Sequence, residues 1–285
     1  MQELPELDIY RAMIAERFAG AQITGMTIHS DQLFQDGQAS EQDIVGQTIW
    51  FVERRAQHLI FHLDNGKRLL IHLSEGANVY SSSVSPEETE DPSQASIVIR
   101  FGERQLAFYG LRAGDAALMS VKSLEAYMKE FGPDPLDKRL TLNRFIERFA
   151  KKRSALKTAL IDDRIISGIG TVYSDEIAFE ARLRPEVKVS SLNQEEWERL
   201  YAAVGTVLRD SITHGGAASK PLFEGDILTG GYAERLRVYN RDGHACERCG
   251  GTVRKLTVGG RKAYACDTCQ EAGAAPSSRD NAEPN

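Results

Sequence analysis

The chain has 285 residues, a 41% hydrophobic share and a net charge of −6, which is enough for two packed domains with a real core and excludes a wholly disordered protein. The opening MQELPELDIYRAMIAERFAG lacks a basic start and an unbroken apolar run, and no later stretch is long enough to cross a bilayer, so we expect a soluble, cytoplasmic monomer with no membrane partner. Charge is unevenly placed: residues 1–136 hold 11 Lys and Arg against 20 Asp and Glu, whereas residues 137–270 hold 23 against 18, which puts any surface for a polyanion mainly in the second half.

Leu7, Tyr10, Met13, Ile14 and Phe18 fall at helical spacing, so an amphipathic helix is predicted to start the fold and to end at Gly20. From about 22 to 109 the pattern changes to short alternating runs such as QTIWFVERR, HLIFHL, RLLIHL, SIVIRF and RQLAFY, the spacing of an antiparallel sandwich or barrel. The acidic SPEETEDPS run interrupts them. FGPDPLD at 131–137 predicts a hinge, because two prolines and a glycine continue neither helix nor strand. Helical patterns follow at 141–150, 154–162, 172–182 and 193–213, and then a long glycine-rich loop from His214 to Gly231. The small, polar tail after Cys269 reads as disordered.

Cys246-x2-Cys249 and Cys266-x2-Cys269, separated by sixteen residues, have the spacing of two knuckles that close four thiolates around a structural zinc ion. A redox role fits less well, since neither pair sits in a strand-to-helix pattern. Between the pairs, GGTVRKLTVGGRKAYA predicts a hairpin turning at Gly259-Gly260 with Arg261 and Lys262 at its tip. Such a unit is either a rigid cationic arm or a simple cap on the chain. Gly168-Ile-Gly170, with a helix directly after it, offers backbone N–H groups and a helix dipole to a phosphate, and Lys157 with the Lys151-Lys152-Arg153 cluster adds cations.

In the order ELPEL (3–7), VERRAQHLIFHL with RLLIHLSEG, GPDPL (132–136), Ala155 to Leu192, and Arg237 to Gln270, these segments together resemble the formamidopyrimidine-DNA glycosylase/endonuclease VIII family over nearly the whole chain to residue 270. The resemblance implies an α+β protein: an N-terminal β-sandwich with a leading helix at 1–131, a hinge at 132–140, a helix-two-turn-helix domain at 141–231, a zinc ribbon at 232–270 and a disordered tail at 271–285. It implies a damaged or abasic double-stranded DNA partner and zinc on the four cysteines. It assigns Glu3 as acid/base catalyst, with Glu6 and the N-terminal Gln2 beside it. It assigns DNA contacts to Lys157, Gly168, Gly170, Thr171, Tyr173, Arg261 and Arg112.

The sequence also departs from that pattern. Where the family carries a nucleophilic N-terminal proline, this chain has Gln2, so strand cleavage through a Schiff base is expected to be weak or absent while hydrolysis through Glu3 remains open. Gln57 replaces a phosphate-binding lysine, Glu75 a methionine that fills the void of an everted base, and Thr171 a phosphate-binding asparagine. Three readings follow: a glycosylase acting through Glu3, a non-catalytic binder of abasic or distorted DNA, or a protein-interaction scaffold.

Overall fold

The computed structural model describes residues 2–34, 41–84, 94–218 and 220–270. The acidic run at 85–93, Met1 and the tail at 271–285, about which the sequence makes predictions, lie outside the described residues.

Helix α1 (Leu4–Phe18) opens on Glu3, whose N–H is taken by the Glu6 carboxylate at 2.9 Å, with Pro5 in the first turn where its missing N–H costs nothing. Its apolar side chains Leu7, Tyr10, Ile14 and Phe18 enter the sandwich core, while Leu4 at its start packs into the helical core instead. Two four-stranded antiparallel sheets form that sandwich. One has the order β1 (Gly25–Ile28), β6 (Ile97–Phe101), β7 (Arg104–Tyr109), β5 (Asn78–Ser83). The other has β2 (Ile49–Arg55), β3 (His58–Leu63), β4 (Lys67–His72), β8 (Ala116–Ser120).

Alternation along β3 explains the layering. Leu59, Phe61 and Leu63 point between the sheets, where Phe61 meets Phe108 of β7 edge-on at 6.2 Å. Ile60 points the other way and is covered, with Leu70 and Ala117, by Leu124 and Met128 of α2 (Val121–Met128). Strand β8 and helix α2 are absent from the elements read from sequence. The signal for α2 was its Ser120 cap, whose hydroxyl accepts the Ser123 N–H at 3.1 Å.

The second half is helical: α3 (Leu142–Phe149), α4 (Leu156–Leu160), α5 (Thr171–Glu180) and α6 (Gln194–Thr213). Helix α5 is buried over nearly its whole circumference, and α6 starts on a capping box in which Asn193 and Glu196 exchange hydrogen bonds of 2.9 and 2.7 Å. A hairpin, β9 (Val253–Val258) and β10 (Arg261–Cys266), then packs on α5 through Phe179, Val238, Val253 and Tyr264. No helix among the described residues is long and apolar enough to cross a membrane.

Candidate catalytic centre and nucleic-acid interface

The turn Gly168-Ile169-Gly170 brings the first residues of the chain against the start of α5. Gly168 has φ +83°, a conformation that costs an L side chain, and its carbonyl accepts the Leu4 N–H at 2.8 Å. Glu3 thereby lies over the helix N-terminus. Its carboxylate accepts N–H groups from Gly170 at 2.6 Å, Val172 at 2.8 Å and Tyr173 at 3.2 Å. These donors and the helix dipole favour the anion. Complete burial, and secondarily the nearby Glu6 charge, outweigh them and push the Glu3 acid up to about 7.

Glu6 forms the second half of the centre. One oxygen accepts the Tyr173 hydroxyl at 2.5 Å and the Ala217 N–H at 2.7 Å, and burial raises its pKa as well. Tyr173 also meets Ser211 Oγ at 2.5 Å, so a hydrogen-bonded chain runs from α1 through α5 to α6. The 214–231 loop closes on this chain. Gly216, at φ +68°, packs so tightly that a Cβ there would fall 2.7 Å from Glu6 Oε1, and Leu222 enters the sandwich core. Gln2 is nearly buried too, and its carboxamide lies against the Tyr10 hydroxyl with Oε1 unpartnered.

Several residues expected to meet DNA are placed otherwise. Lys157 is fully buried, with Nζ 2.7 Å from Asp175 Oδ1 and donating to Thr171 O at 3.0 Å and Ser174 Oγ at 3.1 Å, so it presents no charge to a phosphate. Tyr173 is fully buried, its hydroxyl engaged by Glu6. The Gly170 N–H goes to Glu3 and the Gly168 N–H to Asp163 Oδ1 at 2.7 Å. The anion that this helix N-terminus receives is therefore the protein's own carboxylate. The reason is topological: the helix dipole was legible, but the chain's other end, which supplies the anion, was not.

Arg261 does reach the surface. It stands at the hairpin tip as expected, exposed, and lines a cleft of about 460 Å³ with Glu130, Phe131, Thr158, Asp162 and Asp163. Thr171 is half-buried at the start of α5. Arg112 is exposed but folded back, with NH2 donating to Glu75 O at 2.8 Å.

The four cysteine sulfurs lie within 4.8 Å of one another, with Cys246 to Cys269 at 3.7 Å and Cys249 to Cys266 at 3.5 Å. A tetrahedral Zn²⁺ with bonds of about 2.3 Å needs sulfurs about 3.8 Å apart, so the donor set and its spacing fit zinc, and these four residues are its ligands.

Two features escaped the sequence reading. Asp175 and Glu176 are adjacent buried acids on α5. The Glu176 carboxylate accepts the N–H groups of Arg237, Val238 and Tyr239 at 2.9, 3.0 and 2.8 Å, gripping the turn that enters the ribbon. Two adjacent acids in the middle of a helix that is buried from Val172 to Phe179 were the available signal. The other feature is His58, stacked on His72 at 4.8 Å with Tyr127 OH 3.2 Å from its Nε2. Burial first, and then the His72 ring, hold it neutral, down to about 3.

Known proteins match most of the chain. The formamidopyrimidine-DNA glycosylase N-terminal domain matches residues 1–115, its H2TH domain residues 131–221, and the zinc finger found in FPG and IleRS residues 243–272. The formamidopyrimidine-DNA glycosylase of Pelotomaculum thermopropionicum is 32% identical over 279 residues, covering 95% of this chain and 99% of that protein. That of Listeria monocytogenes is 30% identical over 278 residues, covering 95% and 100%. Among solved structures, a Lactococcus lactis Fpg point mutant in complex with Fapy-dG-containing DNA superimposes with a TM-score of 0.86 at 25% identity, covering 94% of this chain and 99% of that one. With similarity running from the leading carboxylates to the cysteine ribbon at this level of identity, the chain belongs to the formamidopyrimidine-DNA glycosylase family.

Proposed function

We propose that this protein is a base-excision-repair DNA glycosylase. It binds damaged or abasic duplex DNA with Arg261 on the backbone, and it hydrolyses the N-glycosidic bond of an everted nucleotide with Glu3 as acid/base. The observation that carries the reading is the Glu3 carboxyl, held on a helix N-terminus by three N–H donors and poised at about 7, where it both gives and takes a proton near neutral pH. In the reaction, Glu3 delivers its proton to the departing base or sugar as the C1′–N bond breaks, and water adds to C1′ and returns a proton to the carboxylate. Eversion exposes the bond that stacking encloses. Zinc, when bound, supplies folding energy and rigidity to the ribbon and takes no part in the chemistry. Gln2 lacks the ring nitrogen of the family's N-terminal proline and its carboxamide is no nucleophile, so strand cleavage through a Schiff base requires the primary amine of a processed Gln2, and our reading makes it weak or absent.

The reading carries a domain division with it: a sandwich unit to residue 131 closed by α2, a hinge at 132–140, the helical unit to 231 and the ribbon to 270. It also carries a cytoplasmic, nucleoid-associated location. Support comes from the family's named activity and from solved relatives that hold damaged DNA.

The test is a panel of lesion-bearing duplexes, scored separately for base release and strand scission. Base release that is lost in Glu3→Gln, with no borohydride-trapped adduct, supports the reading. One observation favours a second reading, a non-catalytic binder: both Glu3 oxygens are occupied and enclosed. Tight binding of abasic duplex with no base released from any lesion would decide for it.

A further inference from the structure

We propose that Lys157 and Asp175 are positioning residues, whose buried ion pair holds the zinc-ribbon hairpin against the helix-two-turn-helix so that Arg261 meets a DNA phosphate. The inference rests on the DNA-binding reading above and assigns Lys157 a role inside the protein, at one remove from the nucleic acid.

The geometry joins three elements at one point. Lys157 stands on α4 and Asp175 on α5, both side chains fully buried and 2.7 Å apart, and the ammonium's remaining protons go to Thr171 O and Ser174 Oγ in the first turn of α5. The third element is β10, whose Tyr264 is buried beside Phe179 of α5, the helix that carries Asp175. Tyr264 lies three residues from Arg261 on the same strand. A second contact lies at the hairpin's far end, where a Cβ placed on Gly259 would come within 2.7 Å of Thr158 Oγ1, directly after Lys157. The hairpin is thus seated at Tyr264 on α5, the helix that carries Asp175, and at Gly259 on the residue that follows Lys157 in α4, with Arg261 between the two contacts.

Energetics decides what this pair is for. Two buried charges gain little stability over an apolar pair of similar shape, while removal of one leaves the other stranded at high cost. A net stabiliser would be better built from methylenes, whereas an ion pair with fixed partners sets a register. The feature that needs a register is the Arg261 guanidinium at the hairpin tip, since an arginine contact with phosphate depends on direction as well as charge.

The experiment uses the full-length, zinc-loaded protein and a duplex carrying a tetrahydrofuran abasic analogue, with affinity measured across a salt series. Asp175→Asn, close to isosteric, is combined with Arg261→Ala in a double-mutant cycle. We expect each single change to weaken binding on the order of tenfold and the pair to cost little more than either alone, because a misplaced arginine has already lost its contact. Additive losses would overturn the proposal. Independently, Lys157→Met with Asp175→Leu removes both charges at similar volume and should recover affinity relative to Lys157→Met, with the salt slope of the unaltered protein. A double variant as weak as Lys157→Met, with its slope shallower by about one, would instead make Lys157 a phosphate contact. Cooperative unfolding and one zinc per chain establish that each variant is folded, and if the apolar pair fails that check, the Asp175→Asn cycle decides alone. Failure of the unaltered protein to bind any duplex would sink the DNA-binding reading itself, an outcome distinct from additivity in the cycle.

Discussion

Replacing Glu3 by glutamine tests the central carboxylate through stability as well as activity. Burial and Glu6 raise the Glu3 acid from 4.5 to about 7, so the folded protein binds this proton more tightly than the unfolded chain does. The stability it contributes is complete below about pH 4.5 and is lost as the pH rises through 7, a change of about 3 kcal/mol at about 1.4 kcal/mol per pH unit. Glutamine does not titrate, so the unfolding free energy of the unaltered protein minus that of Glu3→Gln should fall by that amount between about pH 4.5 and 8. Urea denaturation of both zinc-loaded proteins across this range measures it, and the subtraction cancels groups elsewhere. A difference that is flat, or that grows with pH, would mean that the three N–H donors of α5 outweigh burial, and Glu3 would then be an ordinary ionised helix cap. Over the same range base release should drop by about 10²–10⁴-fold in the variant.

Other expectations follow from the same structure. Removing zinc with a chelator should melt the Arg237–Gln270 region while the sandwich core persists, seen as loss of amide-exchange protection confined to the ribbon and the adjoining face of α5; protection that survives intact would show that the metal does not hold it. His58→Phe should flatten the acid side of the stability profile. The buried neutral imidazole, held down to about 3, contributes stability above pH 6.5 that is lost as pH falls towards 3, up to about 5 kcal/mol, and an unchanged acid midpoint in the variant would argue against it. Gly168→Ala should cost about 1–2 kcal/mol in unfolding free energy, because φ is +83° and the new Cβ would stand 3.0 Å from the Leu4 Cβ; a neutral effect would show that the turn relaxes freely.

The interplay of sequence and structure differs from site to site. The cysteine spacing and the glycine turn are local facts, so the two cysteine knuckles, the hairpin with Arg261 at its tip and the turn at Gly168-Ile169-Gly170 were legible in the chain. The paired Leu59, Phe61, Leu63 pattern announced a sandwich, yet nothing in it announced that Ile60 would also be covered, which is why α2 went unread. Lys157 is the instructive error. A lysine beside a basic cluster and a phosphate-type turn reads as a surface cation, and only the approach of Asp175, eighteen residues on, converts it into a buried one.

What the amino-acid order settled by itself were the features that short-range chemistry decides: helix and strand periods, turn glycines, and two knuckles spaced to chelate one ion. What the tertiary structure alone decided was which partner each charge received. Glu3 meets N–H groups more than 160 residues away, and Glu176 those of the turn entering the ribbon. Burial and distance govern the energy of a charge, and both are properties of the folded chain as a whole rather than of any segment within it.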